Sequence, residues 1–436
     1  MLFTKKNTKP YNVYTIVITF FTLSLLPASI DAAQTAFTYK NTDPKLLPIA
    51  HYTTAIIGNR NTMEDMHFPG GDNDLLNTQD NDLLNSQDND PLNTQDNNPL
   101  IAPDSLFYAI YDGHGGIGAA KFCAQNLHKK IIEHHYFNDV PEKSLYDAFI
   151  KTHEAYKNAG IYNIIPRDGA TAVAALIKNN KLYVANCGDA RAVLCTNNKA
   201  KRLSFDHKPG DATETARIKE AHKPNETEPI VSHETAKHST LIGFCSRTGT
   251  QVIEKIESPV FRVVGKNSAL SVARAIGDFS FNPLIIPNPH VSVTPLTGSE
   301  DLLILGCDGF FDVVGDQEAA DLALYYLAKI KAESFKLFGY EEHEKIAKRI
   351  SIELVKMAYE TLKSSDNITV TVILFPKCLD IEPLKNTNTK FPITWFTPTE
   401  NKIPQIITTS PLCPLCPSCT KTPPEFPLST NLDTTA

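Results

Sequence analysis

The chain is predicted to be an α+β protein built from antiparallel sheets covered by helices. Strand-like runs follow one another through short turn signals, as at Lys178-Asn179-Asn180-Lys181 between residues 171–177 and 182–185. Helix-like segments come in pairs, 116–137 with 144–159 and 317–331 with 341–363, instead of one after every strand. A parallel dinucleotide-binding sheet would alternate strand and helix. With 436 residues, 42% hydrophobic and 21% charged, the chain can bury one large core and still carry extensions.

Taken in order, residues 1–33 read as a signal peptide. Lys5, Lys6 and Lys9 precede an apolar run over 13–26, then Pro27, Ala28, Ser29 and the pair Ala32-Ala33. The run falls short of the about 20 apolar residues of a membrane span, so export is the expectation. A membrane-anchored or a cytoplasmic chain is the alternative, with membrane contact only if the segment is retained. The catalytic-type core is expected over 48–376. It is interrupted at 72–104 by an Asn/Asp-rich insert in which N-D-L-L-N-T-Q-D from Asn73, N-D-L-L-N-S-Q-D from Asn81 and N-D-P-L-N-T-Q-D from Asn89 repeat one octapeptide. The insert lacks the Gly and terminal Glu of a calcium-binding loop and reads as a solvated connection between two strands.

Beyond it, residues 106–111 form an apolar strand expected to end at Asp112, and 192–195, 302–306 and 369–375 are further strands. The segment 377–436 is a Pro/Thr-rich tail. Its Cys413, Cys416 and Cys419 are either half a zinc site, with Cys378 as remote fourth ligand, or part of a redox-labile or low-complexity tail, the reading preferred. Cys123, Cys187, Cys195 and Cys307 lie in apolar runs and read as core residues, not a disulfide framework. A formal net charge of −7 gives no basic field, which argues against a nucleic-acid partner.

Four acidic patches fall at strand ends or turns: Glu64-Asp65, Asp112-Gly113-His114-Gly115, Asp308-Gly309 and Asp366-Asn367. Carboxylates are hard oxygen donors, suited to Mg²⁺ or Mn²⁺ rather than to the thiolate and imidazole chemistry of structural zinc. Singly, an Asp before Gly is most often a turn residue, Arg60 an ordinary surface arginine and His114 a helix-entry residue. Three such acids set in matching apolar strands reverse that reading and suggest one divided metal site.

The chain resembles the metal-dependent protein phosphatases of the protein phosphatase 2C (PPM) type. The resemblance runs over about residues 51–375 and rests on motifs in family order. These are R-N-T-M-E-D-M-H from Arg60, Y-D-G-H-G-G from Tyr111, D-G-A-T-A from Asp168, A-N-C-G-D-A-R from Ala185, D-H-K-P from Asp206, S-V-A-R-A-I-G-D from Ser271, C-D-G-F-F-D-V from Cys307 and S-D-N-I-T-V from Ser365. It implies a four-layer αββα sandwich of two antiparallel sheets flanked by helices, with two Mn²⁺ or Mg²⁺ ions at one end. Asp112 would bridge them, Asp308 and Asp366 completing one and Glu64 with the Gly113 carbonyl the other. Asp65 would orient bound water, while Asp189 and Asp312 match the place of a third ion in some members.

The implied activity is hydrolysis of phosphoserine and phosphothreonine in phosphoprotein substrates by a metal-bridging hydroxide. Two cations about 3.5–4 Å apart neutralise the ester and acidify the water between them. Arg60 would grip the phosphate with its planar guanidinium, and His114 would protonate the leaving oxygen. Arg274 and Asp278 are expected to be supporting residues. The alternative is a catalytically inactive phosphatase-like binding or regulatory module, against which stands the unbroken set of core acids. One departure affects the substrate side: over 219–260 a long insert rich in His, Glu and Thr enlarges the flap, with Ala221-His222 where the family has glycines.

Overall fold

The computed structural model describes Pro48 and residues 50–69, 75–76, 100–102, 105–160, 164–222, 229–265, 268–336 and 343–379. The leader, the octapeptide copies apart from Leu75 and Leu76, and the tail beyond residue 379, with Cys413, Cys416 and Cys419, lie outside the described residues.

Strand β1 (Ala50–Ile56) opens the fold, and a loop carrying Arg60, Glu64 and Asp65 leads to β2 (Met66–Phe68). Two short pieces, β3 (Leu75–Leu76) and β4 (Leu100–Ala102), flank most of the octapeptide segment. Then come β5 (Ser105–His114), α1 (Gly118–Ile132) and α2 (Pro141–Asn158), the last begun by a proline whose fixed φ suits a first helical turn. The expected hairpin is β6 (Gly169–Lys178) with β7 (Lys181–Cys187). Asn179 and Asn180 both turn left-handed, at φ 51° and 56°, the backbone that a two-residue hairpin needs. Asn197 and Asn198 do the same, at φ 52° and 61°, between β8 (Arg191–Thr196) and β9 (Lys199–Arg202).

Helix α3 (Ala212–Ala221) is capped by Asp211, whose carboxylate accepts from the amides of Thr213 and Glu214 at 2.8 and 3.2 Å. The enlarged flap is a β-ribbon, β10 (Ile230–Phe244) and β11 (Gln251–Val264), with β12 (Ala269–Leu270) added to β11. The remaining elements are β13 (Ile276–Gly277), β14 (His290–Pro295), β15 (Glu300–Gly306), α4 (Asp308–Phe311), α5 (Asp316–Lys336), α6 (His343–Lys356) and β16 (Ile368–Leu374).

Two sheets face each other, one in the order β3-β1-β16-β15-β8-β9 and the other β14-β7-β6-β5-β2, with β4 on β5 and β13 on β6. Pairing is antiparallel throughout them except between β1 and β3. The period of two sorts the side chains. Leu106, Tyr108 and Ile110 of β5 meet Leu303, Leu305 and Ile373 between the sheets. Phe107, Ala109 and Tyr111 face Leu127, Ile131, Leu145 and Phe149 of α1 and α2. On the far side Leu302, Ile304, Val370 and Val372 pack against Leu327, Ile350 and Leu354 of α5 and α6. Each Leu, Ile, Val or Phe among them, fully buried, contributes about 1.5–3 kcal/mol relative to exposure. The four layers of the αββα arrangement follow from these three clusters.

Strand β5 differs from expectation at its end. It continues through Asp112, Gly113 and His114, which pair with Thr171, Ala170 and Gly169. Apolar content stops at Tyr111, but the small residues opening β6 let the ladder run on. The interior phase of 106, 108 and 110 therefore extends to Asp112 and carries its carboxylate to one end of the sandwich. The six described cysteines are buried, and the Cys378 thiol donates to the Phe375 carbonyl at 2.9 Å. The ribbon is pinned beside the same end of the sandwich: Leu241 N donates to Val313 O at 2.8 Å, and Phe244 meets Tyr325 edge-on at 5.5 Å.

Candidate active site

Asn367, in the turn before β16, draws distant segments together. Its amide donates to the carbonyls of Ile57 at 2.8 Å and Thr62 at 3.0 Å, and its Oδ1 accepts from Glu64 N at 2.9 Å. The loop of Arg60, Glu64 and Asp65 is thereby fastened to Asp366. Arg60 Nη2 reaches Asp366 Oδ2 at 2.5 Å while the guanidinium stays largely exposed. Gly113 lies against the same loop: a Cβ there would sit 2.3 Å from the Glu64 carbonyl oxygen, so only glycine admits this close pass.

The carboxylates crowd one another. Asp65 is 1% exposed; its Oδ2 accepts from the Thr369 hydroxyl at 2.6 Å, and its Oδ1 has no hydrogen-bond partner. Burial pushes its carboxyl up to about 6, against the Thr369 bond and with the help of the Asp366 charge. Asp112 is raised well above the usual carboxylate range by desolvation and then by Asp65, Asp308, Asp189 and Asp366. Asp308 is raised likewise, by desolvation and then by Asp189, Asp312 and Asp366. Acids from β5, from the start of α4 and from the turns before β2, β8 and β16 therefore share one field.

Among the described residues no three His, Cys, Asp or Glu side chains stand in a finished coordination shell. Protein cations stand on the carboxylates instead. Besides Arg60 on Asp366, Lys208 Nζ lies 2.9 Å from Asp312 Oδ1 and 3.3 Å from Asp189 Oδ2. Burial alone would lower the Lys208 pKa, but Asp189, Asp312 and Asp308 outweigh it and hold the ammonium charged. Asp189 is 2% exposed, and its Oδ1 is a second buried oxygen with no partner. An all-oxygen donor set, with two orphaned carboxylate oxygens and raised carboxyl pKa values, fits hard divalent cations.

A family model described as protein phosphatase 2C matches residues 88–367. The chain belongs to the protein phosphatase 2C family. Over 279 residues it is 33% identical to a probable protein phosphatase 2C 57 of Oryza sativa subsp. japonica, covering 62% of each chain. It is 32% identical to protein phosphatase 2C homolog 1 of Schizosaccharomyces pombe over 62% of this chain and 64% of that one. The chain thus spans less than two thirds of the length of these relatives. Its structure resembles that of a C. elegans sex-determining protein with a TM-score of 0.51 and 21% identity, covering 75% of this chain and 65% of that one, a likeness of fold alone.

The Arg60–Asp65 loop of this protein phosphatase 2C family member precedes the matched residues, and the Asn367 bonds and the Arg60–Asp366 pair tie it to them. His114 meets Asp278, Nε2 to Oδ2 at 2.6 Å. Burial would lower the imidazole pKa, but the hydrogen bond and charge of Asp278 raise it overall. Arg274, expected to be a supporting residue, pairs with the buried Glu214 and donates to the Asn288 carbonyl at 2.7 Å.

Sequence reasoning gave no role to Asn367, Lys208 or Asp168, and left Asp278 in a supporting class. The Asp168 carboxylate accepts from Ala119 N at 2.8 Å and from the Tyr156 hydroxyl at 2.7 Å, tying α1 and α2 to the start of β6. All four stand inside the quoted motifs, which was the available signal.

Proposed function

We propose that the chain is a metal-dependent phosphatase acting on phosphoserine and phosphothreonine in proteins. The observation that supports it is the convergence, from separate segments, of Asp65, Asp112 and Asp308, whose ionisation burial and neighbouring acids oppose, on Asp366 beside Arg60. Such a group has no role in a plain sandwich core, where buried like charges only destabilise.

Glu64, Asp112, the Gly113 carbonyl, Asp308 and Asp366 would hold two Mn²⁺ or Mg²⁺ ions, with Asp65 supporting them and Asp189 with Asp312 as a further cation position. Bound there, the ions supply charge neutralisation of the phosphate ester and a lowered pKa for the attacking water. The protein's own groups do the rest. Arg60, exposed at the rim, turns from Asp366 to the phosphate and grips two of its oxygens. His114 gives its proton to the serine or threonine oxygen as the bond to phosphorus breaks and that oxygen keeps the electron pair. Water supplies the oxygen that the phosphate gains and restores the proton to His114.

Purified protein with Mn²⁺ and a phosphoserine peptide is expected to release inorganic phosphate, and EDTA to stop it. No metal-dependent release would defeat the reading. Arg60→Ala is expected to raise KM about tenfold, roughly 1.4 kcal/mol of lost binding, with a smaller effect on kcat. A kcat loss with KM unchanged would remove Arg60 from the phosphate.

A further inference from the structure

We propose that Asp278 is the positioning residue for His114, and that Nδ1 of that ring, not Nε2, is the nitrogen that meets the leaving oxygen; this rests on the phosphatase reading above. Three adjacent backbones bring the pair together. His114 of β5 lies opposite Gly169 of β6, and Gly169 lies opposite Gly277 of β13, one residue before Asp278. The histidine and the aspartate therefore approach each other from either side of the first residue of β6. Their bond passes over that residue. A Cβ on Gly169 would come within 2.2 Å of Asp278 Oδ2 and 2.6 Å of His114 Nε2, so the glycine of D-G-A-T-A is what gives the pair room.

The aspartate cannot readily move away. Its backbone is left-handed, φ 53° and ψ 36°, a conformation in which Asp is among the few tolerated side chains. Its amide donates to the Asp168 carbonyl at 3.1 Å, and Gly277 N donates to His153 Nδ1 at 3.2 Å. Asp168 is in turn held by α1 and α2 through Ala119 and Tyr156. The exposures of the two partners differ in the direction a positioning pair requires: the Asp278 side chain is 2% exposed and that of His114 23%. One end is sealed in protein and the other is partly open to solvent.

The chemical consequence follows from valence. An ionised carboxylate accepts only, so the Nε2 proton is spent on Asp278 and the tautomer is fixed. The ring can then give a proton to a leaving alkoxide only as the imidazolium, from Nδ1, and it returns to the neutral Nε2–H form held by Asp278. A buried carboxylate facing an imidazole also holds the ring plane against rotation, since breaking the bond would leave the charge unpaired.

The test compares two substrates on the same preparation with Mn²⁺, so that any loss of folded protein cancels in the ratio. A phosphoserine peptide leaves as an alkoxide and needs a proton, whereas p-nitrophenyl phosphate leaves as a stable phenolate. Asp278→Asn is expected to lower kcat on the peptide about 10–100-fold more than on the aryl ester, part of the range that a general acid supplies. In a His114→Ala background, adding Asp278→Asn is expected to change peptide turnover by less than about threefold, because the two residues act as one unit. Equal losses on both substrates, or additive losses in the double variant, would overturn the positioning role while leaving the phosphatase reading intact. Wild-type protein inactive on both substrates would remove the phosphatase reading, and this role with it.

Discussion

Asp112→Asn and Asp308→Asn are each expected to lower metal-dependent turnover of a phosphoserine peptide by about 1000-fold or more, equivalent to roughly 4 kcal/mol of transition-state stabilisation. The substitution keeps the shape of the side chain and removes its charge, so a large effect would come from electrostatics and not from repacking. Both carboxyls sit where neighbouring acids oppose their ionisation, Asp65, Asp189 and Asp366 for Asp112, and Asp189, Asp312 and Asp366 for Asp308. A divalent cation is the partner that makes several ionised carboxylates tolerable there, and an amide oxygen binds it far less well. Calorimetric titration with Mn²⁺ is expected to show at least one site lost in each variant, independently of turnover. Asp147→Asn serves as control, since Asp147 pairs with Lys143 and His134 away from the acids. Its rate is expected to stay within about twofold, as surface pairs contribute little. Either acid variant keeping its rate within tenfold of wild type would sink the metal assignment.

How much of this is legible in the sequence depends on how local each cause is. The Asn-Asn turn between β6 and β7 was legible because its backbone is set by the two residues themselves. The end of β5 was not, because its last three residues are strand only by virtue of Gly169, Ala170 and Thr171 across from them. Asp112 and Asp308 could be found from D-G dipeptides at the ends of apolar runs, and Glu64, Asp65 and Asp366 from the motifs that hold them. Asn367 and Asp278 could not be ranked, since their importance lies in partners at Ile57, Thr62 and Glu64, or at His114, far away in sequence. The flap insert was legible only as a segment rich in His, Glu and Thr, and the Pro259 within it argues against a strand. The ribbon forms nonetheless, with Pro259 paired opposite Thr235.

The substitutions that remove activity are also expected to stabilise the metal-free protein. A carboxyl whose folded-state pKa is raised binds protons more readily folded than unfolded, so its contribution to stability falls as pH rises above the unfolded value. Asp65, pushed from 3.8 to about 6 by burial, carries roughly 3 kcal/mol of such a penalty above pH 6, and Asp112 and Asp308 are displaced in the same direction. Asn at 112 or 308 does not titrate and escapes it. In EDTA at pH 7.5 each variant is therefore expected to melt several degrees above wild type, the gap closing as pH falls towards 4. Absolute melting temperatures follow a mixed course, because burial holds His128, His153 and His207 near 4, and charging them costs stability in acid. Those terms are common to wild type and variant and cancel in the difference, so the gap isolates the acid site. Saturating Mn²⁺ is expected to reverse the order. An ion at 100 times its Kd adds about 2.7 kcal/mol to wild type and less to a variant lacking a ligand. Wild type melting above both variants in EDTA at pH 7.5 would mean that the carboxylates are already well compensated by Arg60 and Lys208, and that the cluster needs no divalent ion.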